Sequence, residues 1–201
     1  KKRIKSFIQI GSSNEYGNLA TPHKENRLCK PLGNYGKSKF ASTNLLLKHK
    51  NFPVTILRFY LVYGPYQDTN RFISQLICSS LKKEEFATTY GNQCRDFLYI
   101  SDAISAILKA LLCKKNIKGE IFNIGFGKCI KLKKVMGIVK KEVKFLKPNF
   151  GKISLRKDEF IKSYPSIKKA KKILGWYPKI SLNNGIRKTK NYYIKSIKID
   201  L

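Results

Sequence analysis

Three residues could together move a proton at an oxygen-bearing carbon. In "NYGKSK" a tyrosine and a lysine, Tyr35 and Lys39, stand four positions apart, which on a helix is one turn and one face. A phenol ionises near pH 10, so it is a poor base at neutral pH unless a cation stabilises the phenolate. Lys39 is placed to do that. Ser12, upstream, offers a hydroxyl that can hydrogen-bond to a substrate oxygen while Tyr35 gives or takes its proton. Spacing alone proves little. With 11 tyrosines and 42 basic residues in 201 positions, roughly two such pairs arise by chance. A capping serine beside a surface Tyr/Lys pair would read the same.

The elements must therefore decide whether these groups meet. "SFIQIG" (Ser6 to Gly11) reads as a buried strand ending at Ser12 and Ser13. Ligands of open α/β sheets bind beyond such carboxyl ends. "NEYGNLATPHKENRLCKPLG" is polar and broken by Pro22 and Pro31, so a surface loop is expected. A helix follows from about Tyr35 to Lys50, with Phe40, Leu45 and Leu46 as its apolar positions, and then the β-branched strand "FPVTILRF" (Phe52 to Phe59). Next come a helix from Arg71 to Lys82, the strand-like "RDFLYI", and a helix from Ser101 to Leu112 with Ser101 as N-cap and Asp102 in its first turn. "GEIFNIG" (Gly119 to Gly125) is a further strand. Beyond Lys131 the pattern gives a helix to about Phe145, an extended stretch near Ile153, a helix in "SIKKAKKILGW" and a last helix from Asn183 towards Lys195. Strand and helix alternate as in a parallel α/β sheet.

Composition narrows the classes. Hydrophobic residues at 42% and aromatics at 12% belong to a folded chain rather than a disordered one. No apolar run approaches the roughly 18 residues of a membrane span, and a soluble, cytoplasmic protein without membrane partners is expected. Five cysteines without a C-x-x-C pair point to free thiols, and His23 and His49 lack a second ligand at metal spacing. The formal charge of +30 invites a nucleic-acid reading, but lysine heavily outnumbers arginine and is spread through helices and loops. Solvated helix faces account for it better than a nucleic-acid groove, as in "KKAKKILGW". The single methionine is Met136, so the sequence is expected to be part of a longer one.

Five blocks then recur in a fixed order: "GSSNEYG" (Gly11 to Gly17), "YGKSK" (Tyr35 to Lys39), "LRFYLVYGP" (Leu57 to Pro65), "RDFLYISD" (Arg95 to Asp102) and "LGWYPKISLNNGI" (Leu174 to Ile186). In this order and spacing the chain resembles the C-terminal two-thirds of an extended short-chain dehydrogenase/reductase, of the nucleotide-sugar epimerase/dehydratase branch. The resemblance implies an incomplete Rossmann-like parallel sheet plus a smaller C-terminal α/β substrate-binding domain. Residues 1–64, with 97–125 packing back, would belong to the NAD(P)-binding domain, and 65–201 mainly to the substrate domain. It implies that Ser12, Tyr35 and Lys39 match a Ser/Thr-Tyr-Lys triad, that Tyr35 and Lys39 also hold the cofactor, and that Tyr60 lies beside the nicotinamide. Arg95 matches an arginine that grips the substrate's diphosphate, Arg156 resembles a second, and Ser13 falls on the substrate side. Asp102 and Asn123 read equally as contacts or as structural positions. A homodimer and a role in surface-polysaccharide sugars are the family habit.

Departures from the family pattern sharpen the expectation. The 4,6-dehydratases of this branch carry an Asp-Glu pair directly after the triad threonine, where this chain has Ser13 and Asn14, with Glu15 one place further on. Neither serine nor asparagine shuttles protons near pH 7, so dehydration is disfavoured and 4-epimerisation or 4-keto reduction remains. Leu61 stands where the family usually has an asparagine. The glycine-rich turn that seats the pyrophosphate of NAD or NADP is not in these 201 residues. An inactive fragment, or one half of a two-chain enzyme, is therefore the alternative to an active epimerase or reductase.

Overall fold

A computed structural model describes residues 4–156 and 159–197. The strand β1 (Phe7–Ser12) runs into a single 3-10 turn (Ser13–Tyr16), and α1 (Gly33–Lys48) leads on to β2 (Val54–Phe59) and β3 (Leu61–Tyr63). Then come α2 (Phe72–Leu81), β4 (Glu85–Thr88), β5 (Cys94–Arg95), β6 (Phe97–Tyr99), α3 (Ile100–Leu111) and β7 (Ile121–Ile124). The chain continues through β8 (Ile130–Lys131), α4 (Leu132–Glu142), β9 (Lys147–Phe150), β10 (Lys162–Ser163), α5 (Lys168–Leu174) and α6 (Leu182–Ile197). Among the described residues no helix is long and apolar enough to cross a membrane.

The central sheet is parallel, in the order β1-β2-β7, with Phe7 opposite Val54 and Ile56 opposite Ile121. β2 is buried over Val54 to Arg58, as a middle strand covered on both faces must be, and its β-branched residues suit that place. Its register sets Ser12 opposite Phe59, so β1 and β2 end together and their carboxyl ends form one edge. Leu57, Phe122 and Ile124 pack there with Leu98, Ala106 and Trp176. A second apolar cluster joins α2, α4 and α6 through Leu76, Ile77, Val135, Val139, Ile186 and Tyr193.

Several expectations require correction. The stretch after Ser12 is no simple surface loop, because Tyr16 and His23 are completely buried and Glu15 with them. α1 buries Gly36 and Thr43 rather than an apolar stripe, and Leu45 is exposed, since the helix lies on β1 through small residues. The N-cap of α3 is Tyr99, not Ser101, which lies one residue inside the helix. The extended stretch near Ile153 falls earlier, at β9, which pairs with β4. Not all the cysteines are free: Cys94 on β5 and Cys129, beside the antiparallel β8, are joined with their Cα atoms 5.4 Å apart. Cys29, Cys78 and Cys113 are unpaired. In α5, Ala170 and Leu174 face the core while Lys168, Lys171 and Lys172 stay exposed, the amphipathic arrangement its sequence implied.

Candidate active site

A cleft of about 810 Å³ opens at the shared carboxyl edge of β1 and β2. Ser12, Asn14, Tyr35, Gly36, Tyr60 and Leu61 line it, together with Arg71, Arg95, Arg156 and Glu159. Residues separated by more than a hundred positions are thereby brought to one surface. Of the residues singled out in the sequence, Ser12, Tyr35, Tyr60, Arg95 and Arg156 line the cleft. Ser13 is buried in the 3-10 turn and is not part of the wall.

Ser12 is held by the turn that follows it. Its hydroxyl accepts the N–H of Asn14 at 3.2 Å, and its own N–H donates to the Glu15 carboxylate at 2.8 Å. This is a capping box, written in the sequence as S-x-x-E. A hydroxyl carries one donor and two acceptor sites, so the bond from Asn14 leaves the O–H of Ser12 available to a ligand.

Glu15 does more than cap. Its other oxygen accepts from Nε of Arg58 at 2.9 Å, and neither side chain of the pair is more than 2% exposed. Above the guanidinium lies the Tyr16 ring, 4.7 Å from its centre, and the Tyr16 hydroxyl donates to Oδ1 of Asn123 at 2.8 Å. Burial pushes the Tyr16 phenol up to about 12, although the neighbouring arginine opposes this. Gly11 permits the arrangement: a Cβ there would come within 2.7 Å of the Glu15 carboxylate.

Tyr35 and Lys39 sit on the first turns of α1. The Tyr35 ring is largely exposed at the cleft wall, and the Lys39 ammonium lies 5.9 Å from its centre. Lys39 also donates to the carbonyl of Ile10 at 3.0 Å, which ties the helix to the strand just before Ser12. Between them Gly36 lets the helix close on the turn: a Cβ there would meet the Asn14 carbonyl oxygen at 2.7 Å. The pair is thus fixed to the strand end that carries Ser12.

Behind the cleft, the Tyr60 hydroxyl and Nδ1 of His23 are 2.9 Å apart, and Nε2 of His23 lies 3.2 Å from the Leu19 carbonyl. A carbonyl only accepts, so Nε2 carries the proton, and Nδ1 accepts from Tyr60. Both nitrogens of a neutral ring are thus satisfied. Burial lowers the His23 pKa to about 4 and raises that of Tyr60 well above its usual 10. Nearby Asp96, also buried, is lifted to about 7 despite N–H bonds from Phe126 and Lys128. The two groups act oppositely on stability. Between about pH 6.5 and 4 the unfolded chain binds a proton at His23 that the folded chain refuses, so acidification destabilises. Between about pH 7 and 3.8 the folded chain keeps a proton at Asp96 that the unfolded chain has released, so acidification stabilises. In NMR titration the His23 ring should remain neutral through pH 6 and titrate with a midpoint of about 4. A midpoint near the ordinary 6.5 would mean that the ring is not buried as described.

Asp102 and Asn123 are structural. Asp102 accepts the N–H groups of Lys179 at 3.0 Å and Ile180 at 2.8 Å, and its carbonyl accepts from the Trp176 indole at 3.1 Å. Asn123 bonds Tyr16 and the His23 carbonyl. Neither lines the cleft. What the sequence reading missed was Arg58, Tyr16 and His23 as one buried network, and Glu159 as a wall residue. For the first a signal was present: an arginine inside the apolar run "VTILRF" requires a buried counter-charge, and the capping-box glutamate supplies it.

A parallel sheet with a cleft at its carboxyl edge is the construction of the Rossmann-type enzymes. The chain belongs to the NAD dependent epimerase/dehydratase family, whose model matches residues 1–125. It is 30% identical to the dTDP-D-glucose 4,6-dehydratase of Homo sapiens over 205 residues, covering 95% of this chain and 57% of that protein. Among solved structures, the UDP-glucuronic acid 4-epimerase of Bacillus cereus, in complex with UDP-glucuronic acid and NAD, superposes with a TM-score of 0.89 at 31% identity, over 98% of this chain and 63% of that one. The UDP-glucose 4-epimerase of Thermotoga maritima, with UDP-glucose, gives 0.89 at 29% identity, over 96% and 65%. The chain therefore spans about three-fifths of the length of the proteins it matches.

Proposed function

We propose that this chain carries the proton-transfer and substrate-binding part of an NAD(P)-dependent nucleotide-sugar 4-epimerase or 4-ketoreductase. The observation that carries the reading is that Ser12 and Tyr35 line one cleft, with Lys39 beside the Tyr35 ring and tied to the Ile10 carbonyl two residues before Ser12. Tyr35 exchanges a proton with the C4 oxygen of the sugar, with the Lys39 ammonium beside its ring. Ser12 donates its free O–H to the same oxygen and orients it. A bound nicotinamide cofactor would supply the hydride acceptor or donor for that carbon. Tyr35 and Tyr60, which line the cleft, and Lys39 beside the Tyr35 ring would hold the nicotinamide end of such a cofactor. Arg95 and Arg156 suit the substrate's diphosphate.

The positions of the carboxylates support this reaction type. Glu15 is committed to Arg58 and to the Ser12 N–H, and Glu159, the only carboxylate of the cleft wall among the described residues, is held by two arginines. Glu15 is not free to act as acid or base on the sugar, which supports exchange at one carbinol carbon over elimination of water. The limited coverage of the relatives favours a second reading for the chain alone: it turns over only when a glycine-rich dinucleotide-binding segment completes it. Both are tested by supplying UDP-glucose and UDP-glucuronic acid to the isolated chain and to the chain joined to such a segment, following the C4 configuration by NMR. The joined protein should interconvert C4 epimers, or reduce the 4-keto sugar, while the isolated chain should not. A 4-keto-6-deoxy product would contradict the assignment.

A further inference from the structure

Glu159 is a charged group of the cleft for which the proposed chemistry has no use. One of its oxygens takes Nη2 of Arg95, and the other accepts from Arg156 through Nε at 3.2 Å and Nη2 at 3.0 Å. Its carboxylate therefore takes Nη2 of Arg95 and the Nε–Nη2 edge of Arg156, two of the three arginines that line the cleft. Arg95 and Glu159 are shielded, with side chains 11% and 15% exposed, so their attraction is not lost to solvent screening. Apart from Glu159, the polar contact of Arg95 is with the carbonyl of its own neighbour, Cys94, at 3.0 Å. An incoming phosphate thus meets, in Arg95 and Arg156, two arginines that already hold an anion.

We propose that Glu159 is an internal competitor for the anionic part of the substrate: its carboxylate holds Arg95 and Arg156 in the ligand-free cleft and gives way when a diphosphate binds. This inference rests on the reading of the cleft as a nucleotide-sugar site. Binding is then an exchange of anions. A singly charged ligand gains little by replacing one carboxylate with another anion of equal charge. A diphosphate, with more charge and more acceptor oxygens, wins the exchange. Glu159 lowers absolute affinity but makes the cleft selective for diphosphates, and it keeps Arg95 extended into the cleft between binding events. Its role is one of specificity and positioning.

The test uses the affinity of uridine diphosphate and of inorganic pyrophosphate for three forms of the chain, measured by titration calorimetry: unchanged, Glu159→Gln and Glu142→Gln. Gln keeps the shape of Glu159 but not its charge. Glu142, paired with Lys190 and outside the cleft wall, controls for the gain of one net positive charge. Removing Glu159 should tighten both ligands about tenfold, the size of one charged hydrogen bond no longer broken on binding. Glu142→Gln should leave both within about twofold of the unchanged chain. If uridine diphosphate binds the unchanged chain and Glu159→Gln binds no more tightly, or if Glu142→Gln matches it, the competitor role is overturned while the nucleotide-sugar reading stands. A gain for pyrophosphate without one for uridine diphosphate also overturns it as stated. No binding of uridine diphosphate to any of the three overturns both.

Discussion

Replacing Glu15 by Gln lowers the unfolding free energy of the chain by about 3–5 kcal/mol, the usual cost of removing one partner from a buried ion pair. Arg58 is left behind with its side chain 2% exposed, and no solvent can replace the lost charge. The Tyr16 ring above the guanidinium offers only a weak substitute. Domains of this kind are stable by roughly 5–15 kcal/mol, so the loss is a large fraction of the total. The damage also reaches the cleft. Glu15 holds the N–H of Ser12, so the residue that stabilises the core also sets the position of a site hydroxyl. Replacing Arg58 by Met in the same chain removes the orphaned charge, and the double variant should recover part of the loss. Urea denaturation followed by circular dichroism reads all three. A Glu15→Gln chain within about 1 kcal/mol of the original would show that the pair is not buried as described.

This network also shows where sequence reasoning stops. The strands and helices were legible because their signals are local: β-branched runs for β1, β2 and β7, and helical spacing with flanking breakers for α2, α3 and α6. Their parallel order followed from alternation alone. The segment between Ser12 and α1 shows that polarity in the sequence does not imply exposure. Glu15, Tyr16 and His23 are polar and buried, each satisfied by a partner at least 37 positions away, namely Arg58, Asn123 and Tyr60. A window along the chain cannot see such partners. The apolar face of α1 was overcalled for a related reason: a helix docking through Gly36 and Thr43 leaves no hydrophobic stripe to read.

The site was legible in part. Ser12, Tyr35, Arg95 and Arg156 line the same cleft, and Lys39, one turn after Tyr35, lies over its ring. The link from Lys39 to the Ile10 carbonyl depends on how closely α1 approaches β1, and only the packing at Gly36 sets that. Glu159 was invisible as a wall residue, because nothing local distinguishes a glutamate that answers Arg95, 64 positions away, from one that faces water. The cysteine count misled in the same way: an odd total argued for free thiols, yet Cys94 and Cys129 meet across a short antiparallel pairing.

The second large effect is on turnover. Tyr35 is exposed to the cleft, has Lys39 beside it, and is the one group of the wall proposed to exchange a proton with the substrate. Removing its hydroxyl takes away that proton transfer and leaves the arginines, Ser12 and the shape of the cleft intact. A positioned acid/base of this kind contributes about 10²- to 10⁴-fold to rate. The ring of Phe occupies the same exposed position, so neither folding nor uridine diphosphate affinity should change. The decisive measurement is therefore kcat for C4 interconversion of a UDP-sugar by the chain joined to a glycine-rich dinucleotide-binding segment, with Tyr35 and with Tyr35→Phe. A fall of at least about 100-fold, with uridine diphosphate affinity unchanged, is the expected result. Turnover surviving within about tenfold would contradict the assignment of Tyr35 and, with it, the proposed chemistry of this cleft.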